Sequence, residues 1–391
     1  MSKKKSAKKA KTRSLPLMIT ILSALVIAFF LCGFIGGRIY YDRRCPNFSD
    51  KAEIYVYPNM NISDVMEEIV SKNIVKKRGS LKRALRQEGL LSGEDKPGEN
   101  ALKPGHYTIT SDNSSMYVAR MLRNGWQTPV KMVLSGSMRH KSVIARKISR
   151  QMMMDSLTVM NALRDSALLS KYGFTSENVF ALFMPDTYQV YWTDSINVIL
   201  DKQKAAYDSF WTEDNVKKAK AQGLTKMEVS TLASIVRCES NHIPEYPLIA
   251  GVYLNRLHQG MKLQADPTIA YCYEFTLNRI LRKHLKYDSP YNTYMYAGLP
   301  PAPICVPGKD AMEAVLNPQG GKDLFFCASP DFNGTHLFAA TYSDHLKNAR
   351  AFQKALTARS PAPPQDTAKA ADSKAAHTTA VHSSNMPQEA M

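Results

Sequence analysis

No stripe of lysine or arginine with interleaved aromatics runs through the body of this 391-residue chain. A nucleic-acid surface is therefore a poor reading of its net charge of +17. The six cysteines lack the close spacing of a zinc site or a small disulfide scaffold. With Cys32 inside an apolar run, Cys45, Cys238, Cys272, Cys305 and Cys327 remain; an odd number cannot all pair within one chain, and their state stays open. Residues 1–14 have no acid at all, while Lys3, Lys4, Lys5, Lys8, Lys9, Lys11 and Arg13 supply seven positive charges. The segment 15–37 has no charged side chain. Beyond Arg359 there is no aromatic residue, only a tail rich in Ala, Ser, Thr, Pro and Gln with little apolar surface to offset chain ordering.

These absences divide the chain. Leu15 to Gly37 is long enough as a helix to cross the roughly 30 Å apolar core of a bilayer. The basic cluster before it outweighs Arg38, Arg43 and Arg44 after it, which places the amino terminus in the cytoplasm and the body outside. A cleaved signal peptide is the competing reading, supported by Gly33, Gly36 and Gly37. Leu31 is not the small residue that a lipid-attachment site at Cys32 needs. The expected organisation is a cytoplasmic basic segment (1–14), a single transmembrane helix (15–37), a small module (50–125), a larger mixed α+β domain (126–355) and a disordered tail (356–391). The small module is read from a strand at Glu53 to Tyr57, an amphipathic helix with Val65, Ile69 and Val70, and a helix at Leu81 to Glu88. A strand at Gly105 to Thr110 and a helix at Ser115 to Arg123, closing at Gly125, complete it.

The chemistry concentrates later. Thr225 and Glu228 have the spacing of a capping box, so a helix is predicted to begin there. Leu232, Ile235, Val236 and Glu239 then stand at i, i+3, i+4 and i+7, which puts a carboxyl on the apolar face. Desolvation there raises its pKa and keeps it protonated, as a general acid requires. An acid fraying to water at a helix end, or paired with Arg237 or His242, is the bland alternative. Asp266-Pro267-Thr268 has the pattern of a helix start, so capping and substrate contact are both open for Asp266. Tyr291, Asn292 and Tyr294 suit a sugar cleft, since aromatic faces stack on pyranose rings and amides bond hydroxyls; they suit loop packing equally. Gly298 to Pro303 is stiff and donor-poor, a wall rather than a reagent.

Ser234-Ile-Val-Arg-Cys-Glu239, Gly251-Val-Tyr-Leu-Asn-Arg-Leu257, Leu263-Gln-Ala-Asp-Pro-Thr268, Tyr291-Asn-Thr-Tyr294, Gly298-Leu-Pro-Pro301 and Pro307-Gly308 occur in this order. The ordered set resembles the YceG-like family of endolytic murein transglycosylases. The resemblance extends over the membrane span, the module at 50–125, which looks like the family's LysM-like module, and essentially all of 126–355. It implies non-hydrolytic cleavage of peptidoglycan between N-acetylmuramic acid and N-acetylglucosamine, leaving 1,6-anhydro ends. Glu239 is the implied catalytic residue, and Gln264, Asp266, Tyr291, Asn292, Tyr294 and His336 are the implied substrate contacts. No metal or cofactor is implied. The implied partners are nascent glycan strands and the cytoplasmic membrane, with peptidoglycan synthases as further candidates, no nucleic acid, and an implied role in cell-wall assembly.

Two departures stand out. The family commonly has a second acid two residues before its catalytic glutamate, where this chain has Arg237. It usually reads Glu-Gly-Tyr-Leu-Phe before Pro-Asp-Thr-Tyr, where this chain has Phe180-Ala-Leu-Phe-Met184. The missing glutamate at Phe180 favours a competing class, a non-catalytic peptidoglycan-binding scaffold. His336, in Gly334-Thr-His-Leu-Phe338, carries a structural reading beside the functional one.

Overall fold

The computed structural model describes residues 14–91 and 102–359. The basic segment up to residue 13, the polar loop at 92–101 and the tail from residue 360 lie outside the described residues, and the expectation of disorder in the tail lies there too. Among the described residues, one helix, α1 (Ser14–Arg44), is long and apolar enough to cross a membrane. It continues past Gly37 because nothing there breaks it, and it stops before Pro46, which disfavours helical backbone at the residue ahead of it. Arg43 and Arg44 fall in its last turn, the favourable end of the helix dipole for cations.

The chain is a mixed α+β structure in two compact units. The first takes the residues up to Val130 together with Gln189–Thr193. In it, β1 (Ala52–Val56) pairs antiparallel with β2 (Gly105–Ile109), Ile54 opposite Tyr107. Between them lie α2 (Ile62–Ser71) and α3 (Arg78–Gln87), and α4 (Ser115–Asn124) follows. Asn61 caps α2 through the Asp64 amide while the Asp64 carboxylate returns to the Asn61 amide. Helix α4 ends at Gly125, whose φ of +70° is the left-handed closure that glycine adopts without strain. Helix α3 begins a turn earlier than expected; Lys77 provides no side-chain cap, so no local signal marks its start.

Phe48, Ile54, Val65, Leu85, Ile109 and Val118 are completely buried in one core here. Each such side chain contributes about 1.5–3 kcal/mol relative to leaving it in water. Two buried polar clusters in this unit are paired. Asn47, fully buried, donates to Ser115 Oγ (2.8 Å) and the Lys77 carbonyl (3.0 Å) and accepts from the Lys77 amide (2.9 Å). Asp42, near the end of α1, accepts two 2.7 Å bonds from Arg83 and one of 2.5 Å from Ser80. The excursion at 189–193 brings Trp192 edge-on to Tyr55 and Tyr57, with ring centroids 5.2 and 4.8 Å away.

The second unit takes Lys131–Tyr188 and the chain from Asp194 onward. Strand β3 (Val130–Leu134) pairs with β4 (Asp186–Val190). Helices α5 (Lys141–Ser149), α6 (Ser156–Ala162) and α7 (Ser166–Ser170) lie between these strands. Then come α8 (Ile196–Phe210), α9 (Glu213–Ala221), α10 (Lys226–Glu239), α11 (Tyr246–His258), α12 (Asp266–Cys272) and α13 (Lys309–Leu316). An antiparallel pair, β5 (Phe325–Ala328) and β6 (His336–Ala339), precedes α14 (Tyr342–Arg359). Helix α14 carries the folded chain four residues past the expected boundary at 355. The centre of this unit is α10, buried without interruption from Val229 to Val236 and packed on α11, α12 and α13.

Candidate active site

Helix α10 begins where its sequence directs: Thr225 Oγ1 accepts from the Glu228 amide (3.2 Å) and the Glu228 carboxylate accepts from the Thr225 amide (2.7 Å). Leu232, Ile235 and Val236 are completely buried. The helix therefore delivers its last residue, Glu239, from the apolar interior to a partly exposed position at its carboxy-terminal end. Burial raises the Glu239 pKa to about 8. A hydrogen bond from the Tyr253 hydroxyl opposes the rise, the Asp266 and Cys238 charges add to it, and the Arg256 charge opposes it. A protonated carboxyl at a helix carboxy terminus also avoids an unfavourable contact with the helix dipole. The result is an acid that holds its proton at neutral pH within reach of solvent.

Tyr253 comes from α11, which packs on α10 and, on another side, lies against the backbone at 319 because of a glycine. A Cβ at Gly251 would sit 2.0 Å from the Gln319 carbonyl oxygen, so no other residue lets α11 rest against that backbone. On the same helix, Arg256 is buried and spends its guanidinium on loop carbonyls: Leu324 (2.6 Å), Leu263 (2.7 Å) and Lys262 (3.3 Å). It also reaches Gln264 Oε1 at 3.5 Å. Arg256 thus fixes the segment that leads into Asp266 and places a positive charge near Glu239 without pairing to it.

Asp266 is not a helix cap. Ala265 occupies the cap position of α12, where the Thr268 hydroxyl bonds its carbonyl (2.7 Å) and Thr293 Oγ1 accepts from its amide (3.0 Å). The Asp266 carboxylate instead accepts the Tyr294 hydroxyl at 2.5 Å. Burial raises its pKa to about 6, against the pull of that hydrogen bond. Gln264 beside it is exposed in left-handed backbone, φ +52°, with its amide held by the Thr293 carbonyl at 3.1 Å. Two carboxyls of raised pKa, two tyrosine hydroxyls and an exposed amide side chain form this site.

Residues 54–351 match the sequence model of the YceG-like family. The chain belongs to the YceG-like family. An endolytic murein transglycosylase of Bacillus subtilis (strain 168) is 40% identical over 117 residues, 30% of this chain and 32% of that protein. One from Streptococcus pneumoniae serotype 2 is 32% identical over 169 residues, 42% of this chain and 30% of that protein. The chain thus spans about a third of the length of the curated relatives it matches. A crystal structure of a YceG-like protein from Listeria monocytogenes shares the fold at a TM-score of 0.50 and 24% identity, covering 76% of this chain and 98% of that one.

The other positions singled out in this YceG-like sequence lie differently. Asn292 is completely buried; its amide donates to the Leu285 (3.0 Å) and Tyr287 (2.7 Å) carbonyls and its oxygen accepts from the Tyr294 amide (2.9 Å). With both donors committed, it shapes the loop that presents Tyr294. Tyr291 is buried against Tyr271, centroids 4.6 Å apart, and donates to Glu177 Oε1 at 3.1 Å. His336 has the structural place: its amide and Nδ1 meet the two Glu245 oxygens at 2.7 and 2.9 Å, with both side chains only 9% exposed. Arg237 donates to the Tyr246 hydroxyl at 2.8 Å, and Phe180 is buried in apolar surroundings. Tyr253 and Arg256 were not singled out, although both lie in the quoted Gly251–Leu257 motif. Their importance depends on which face α11 turns to α10, and no local pattern states it.

Proposed function

We propose that this chain is a membrane-anchored lytic transglycosylase that cuts peptidoglycan glycan strands internally, between N-acetylmuramic acid and N-acetylglucosamine. The observation that carries this reading is Glu239: a partly exposed carboxyl, protonated at neutral pH, hydrogen-bonded to a tyrosine hydroxyl and without a salt-bridge partner among the described residues. Such a group protonates the glycosidic oxygen as an oxocarbenium-like centre develops at the muramyl anomeric carbon. The same carboxylate then takes the proton of the C6 hydroxyl, whose oxygen closes the 1,6-anhydro ring. Asp266, ionised above about pH 6, lends negative charge to the developing cation, and Gln264 and Tyr294 offer hydroxyl-binding groups beside it. The C6 hydroxyl is tethered to its target, and well-oriented intramolecular groups reach effective molarities of about 10⁵ M or more.

The order β1, α2, α3, β2 around an antiparallel pair supports a LysM-like module in the first unit, which would hold the strand. Helix α1 would anchor both units at the outer face of the cytoplasmic membrane, among nascent strands and the synthases that make them, as a contribution to wall assembly. A reporter fused after Met391 should then be active only outside the cytoplasm; cytoplasmic activity would reverse the orientation.

One observation favours hydrolysis instead: Asp266, freed from capping, is a second carboxylate able to serve as base or nucleophile. Product mass separates the two. Transglycosylation gives muramyl ends about 18 Da lighter than hydrolysis, because ring closure adds no water. Reducing ends that take up oxygen from labelled water would establish hydrolysis, with Asp266 as partner. Glycan strands left uncut would point to a binding scaffold.

A further inference from the structure

Two cysteines 67 positions apart meet immediately behind the candidate acid. The Sγ atoms of Cys238 and Cys305 are 3.2 Å apart. Cys238 precedes Glu239 on the last turn of α10, and Cys305 lies in the segment Pro303-Ile-Cys-Val306. That segment is already laid along the helix: the Ile304 amide donates to Ser234 Oγ at 3.0 Å, and the Cys305 thiol reaches the Ser234 carbonyl at 3.4 Å. Forming an S–S bond of about 2.05 Å needs the sulfurs to approach by about 1 Å, within side-chain adjustment.

We propose that Cys238 and Cys305 form a disulfide that pins the end of α10 and so positions Glu239. The chemistry needs a two-electron oxidant, and a low-molecular-weight disulfide such as glutathione disulfide suffices. Cys238, the partly exposed member, attacks it as thiolate and releases one glutathione thiolate. Cys305, which is buried, then attacks the Cys238 sulfur; the second glutathione leaves with the displaced electron pair and takes up the Cys305 proton. One protein disulfide forms and one glutathione disulfide is reduced to two thiols. The surroundings favour Cys238 as the attacking sulfur: the adjacent Cys305 thiol holds its pKa below the usual range against the effect of burial, and the Arg139 and Arg237 charges assist. Cys45, Cys272 and Cys327 are free thiols.

The positioning role rests on the cleavage proposed for Glu239; the bond itself does not. The full-length chain in detergent micelles is equilibrated in glutathione buffers of graded potential, acid-quenched, alkylated and mapped by peptide mass spectrometry, with melting and glycan cleavage measured on the same samples. A cross-link between Cys238 and Cys305 should appear as the buffer becomes oxidising. It closes a long loop, so the cross-linked chain should melt about 5–10 °C above the reduced one. Its kcat should exceed that of the reduced chain about three- to tenfold at unchanged KM, since a better-held acid acts in the transition state. Cys305→Ser should melt and cleave like the reduced chain at every potential. Both states are compared on the unaltered sequence, so a variant that fails to fold leaves the test intact. Alkylation of both cysteines at every potential, or a cross-linked chain that melts and cleaves like the reduced one, overturns the proposal. A cross-link with its melting shift but no cleavage in either state supports the bond and counts against the transglycosylase reading.

Discussion

Two glutamates end two helices in this molecule, and they are tuned in opposite directions. Glu88 closes α3 in the first unit and Glu239 closes α10 in the second, each partly buried at a helix end where the dipole resists negative charge. Burial pushes both pKa values up. At Glu88, hydrogen bonds from Arg120 (2.9 Å) and Arg123 (3.2 Å), with their charges, outweigh burial and hold the carboxyl below its usual range. At Glu239 the bonded partner is a neutral hydroxyl and Asp266 adds negative charge, so the pKa climbs to about 8. A carboxylate given cations is held in place as structure; one given only hydroxyls keeps a proton it can transfer.

The comparison breaks most sharply at Glu239→Gln. The amide keeps shape and loses the proton, and general acids contribute about 10² to 10⁴ in rate, so cleavage measured as anhydro-ended products should fall by at least about a hundredfold. Stability should not fall. Because the pKa is raised in the folded state, the unfolded chain binds fewer protons between the ordinary glutamate range and pH 8, and the wild type loses stability as pH rises through that window. Melting of Glu239→Gln should lack this loss and exceed that of the wild type at pH 9. Lower melting of the variant at pH 9 would mean that Glu239 is a structural carboxylate like Glu88.

Asp266→Asn is a smaller change that sharpens the same contrast. Its charge helps keep Glu239 protonated, so its removal should move the alkaline limb of the pH–rate profile below about 8 and abolish any acid limb near 6. An alkaline limb that stays at 8 would show that Asp266 does not load Glu239. The smallest effect belongs to Glu88→Gln. Its two arginines are about half exposed, so loss of the cluster should cost about 0.5–1.5 kcal/mol at neutral pH and leave cleavage unchanged. Because the Glu88 pKa is depressed, that stability is present above the ordinary glutamate range and disappears as pH falls, where variant and wild type should converge.

What could be foreseen follows the range of the interactions. The Thr225–Glu228 box and the apolar face that carries Glu239 are local, and both stand where their spacing puts them. Strand β1 lies one residue from its expected position, because alternation resolves a strand better than its ends. Asp266 shows the limit. Asp-Pro-Thr satisfies every local signal for a cap, yet Thr268 and Thr293 hold Ala265 in that place and release the carboxylate to Tyr294. Asn292 sits two residues before a loop amide, that of Tyr294, whose need for its oxygen no motif reveals. Tyr253 and Arg256 depend on how α11 packs on α10 and on the loops at 262–264 and 324, and Cys238 meets Cys305 only through the packing of a distant segment on α10.

Helix α1 has a mechanical consequence. It runs unbroken from the charge-free stretch into the first unit, and the Asp42 carboxylate on its last turns is clamped by Arg83 and Ser80. Between Gly37 and Cys45 the chain has about seven helical residues, roughly 10 Å of rigid rod, and no slack. With residues 15–37 in a bilayer, the first unit is mounted on a short post rather than tethered by a leash. Its height above the lipid is then set to within a couple of helical turns, and any strand that the proposed LysM-like module held would have to come down to that level.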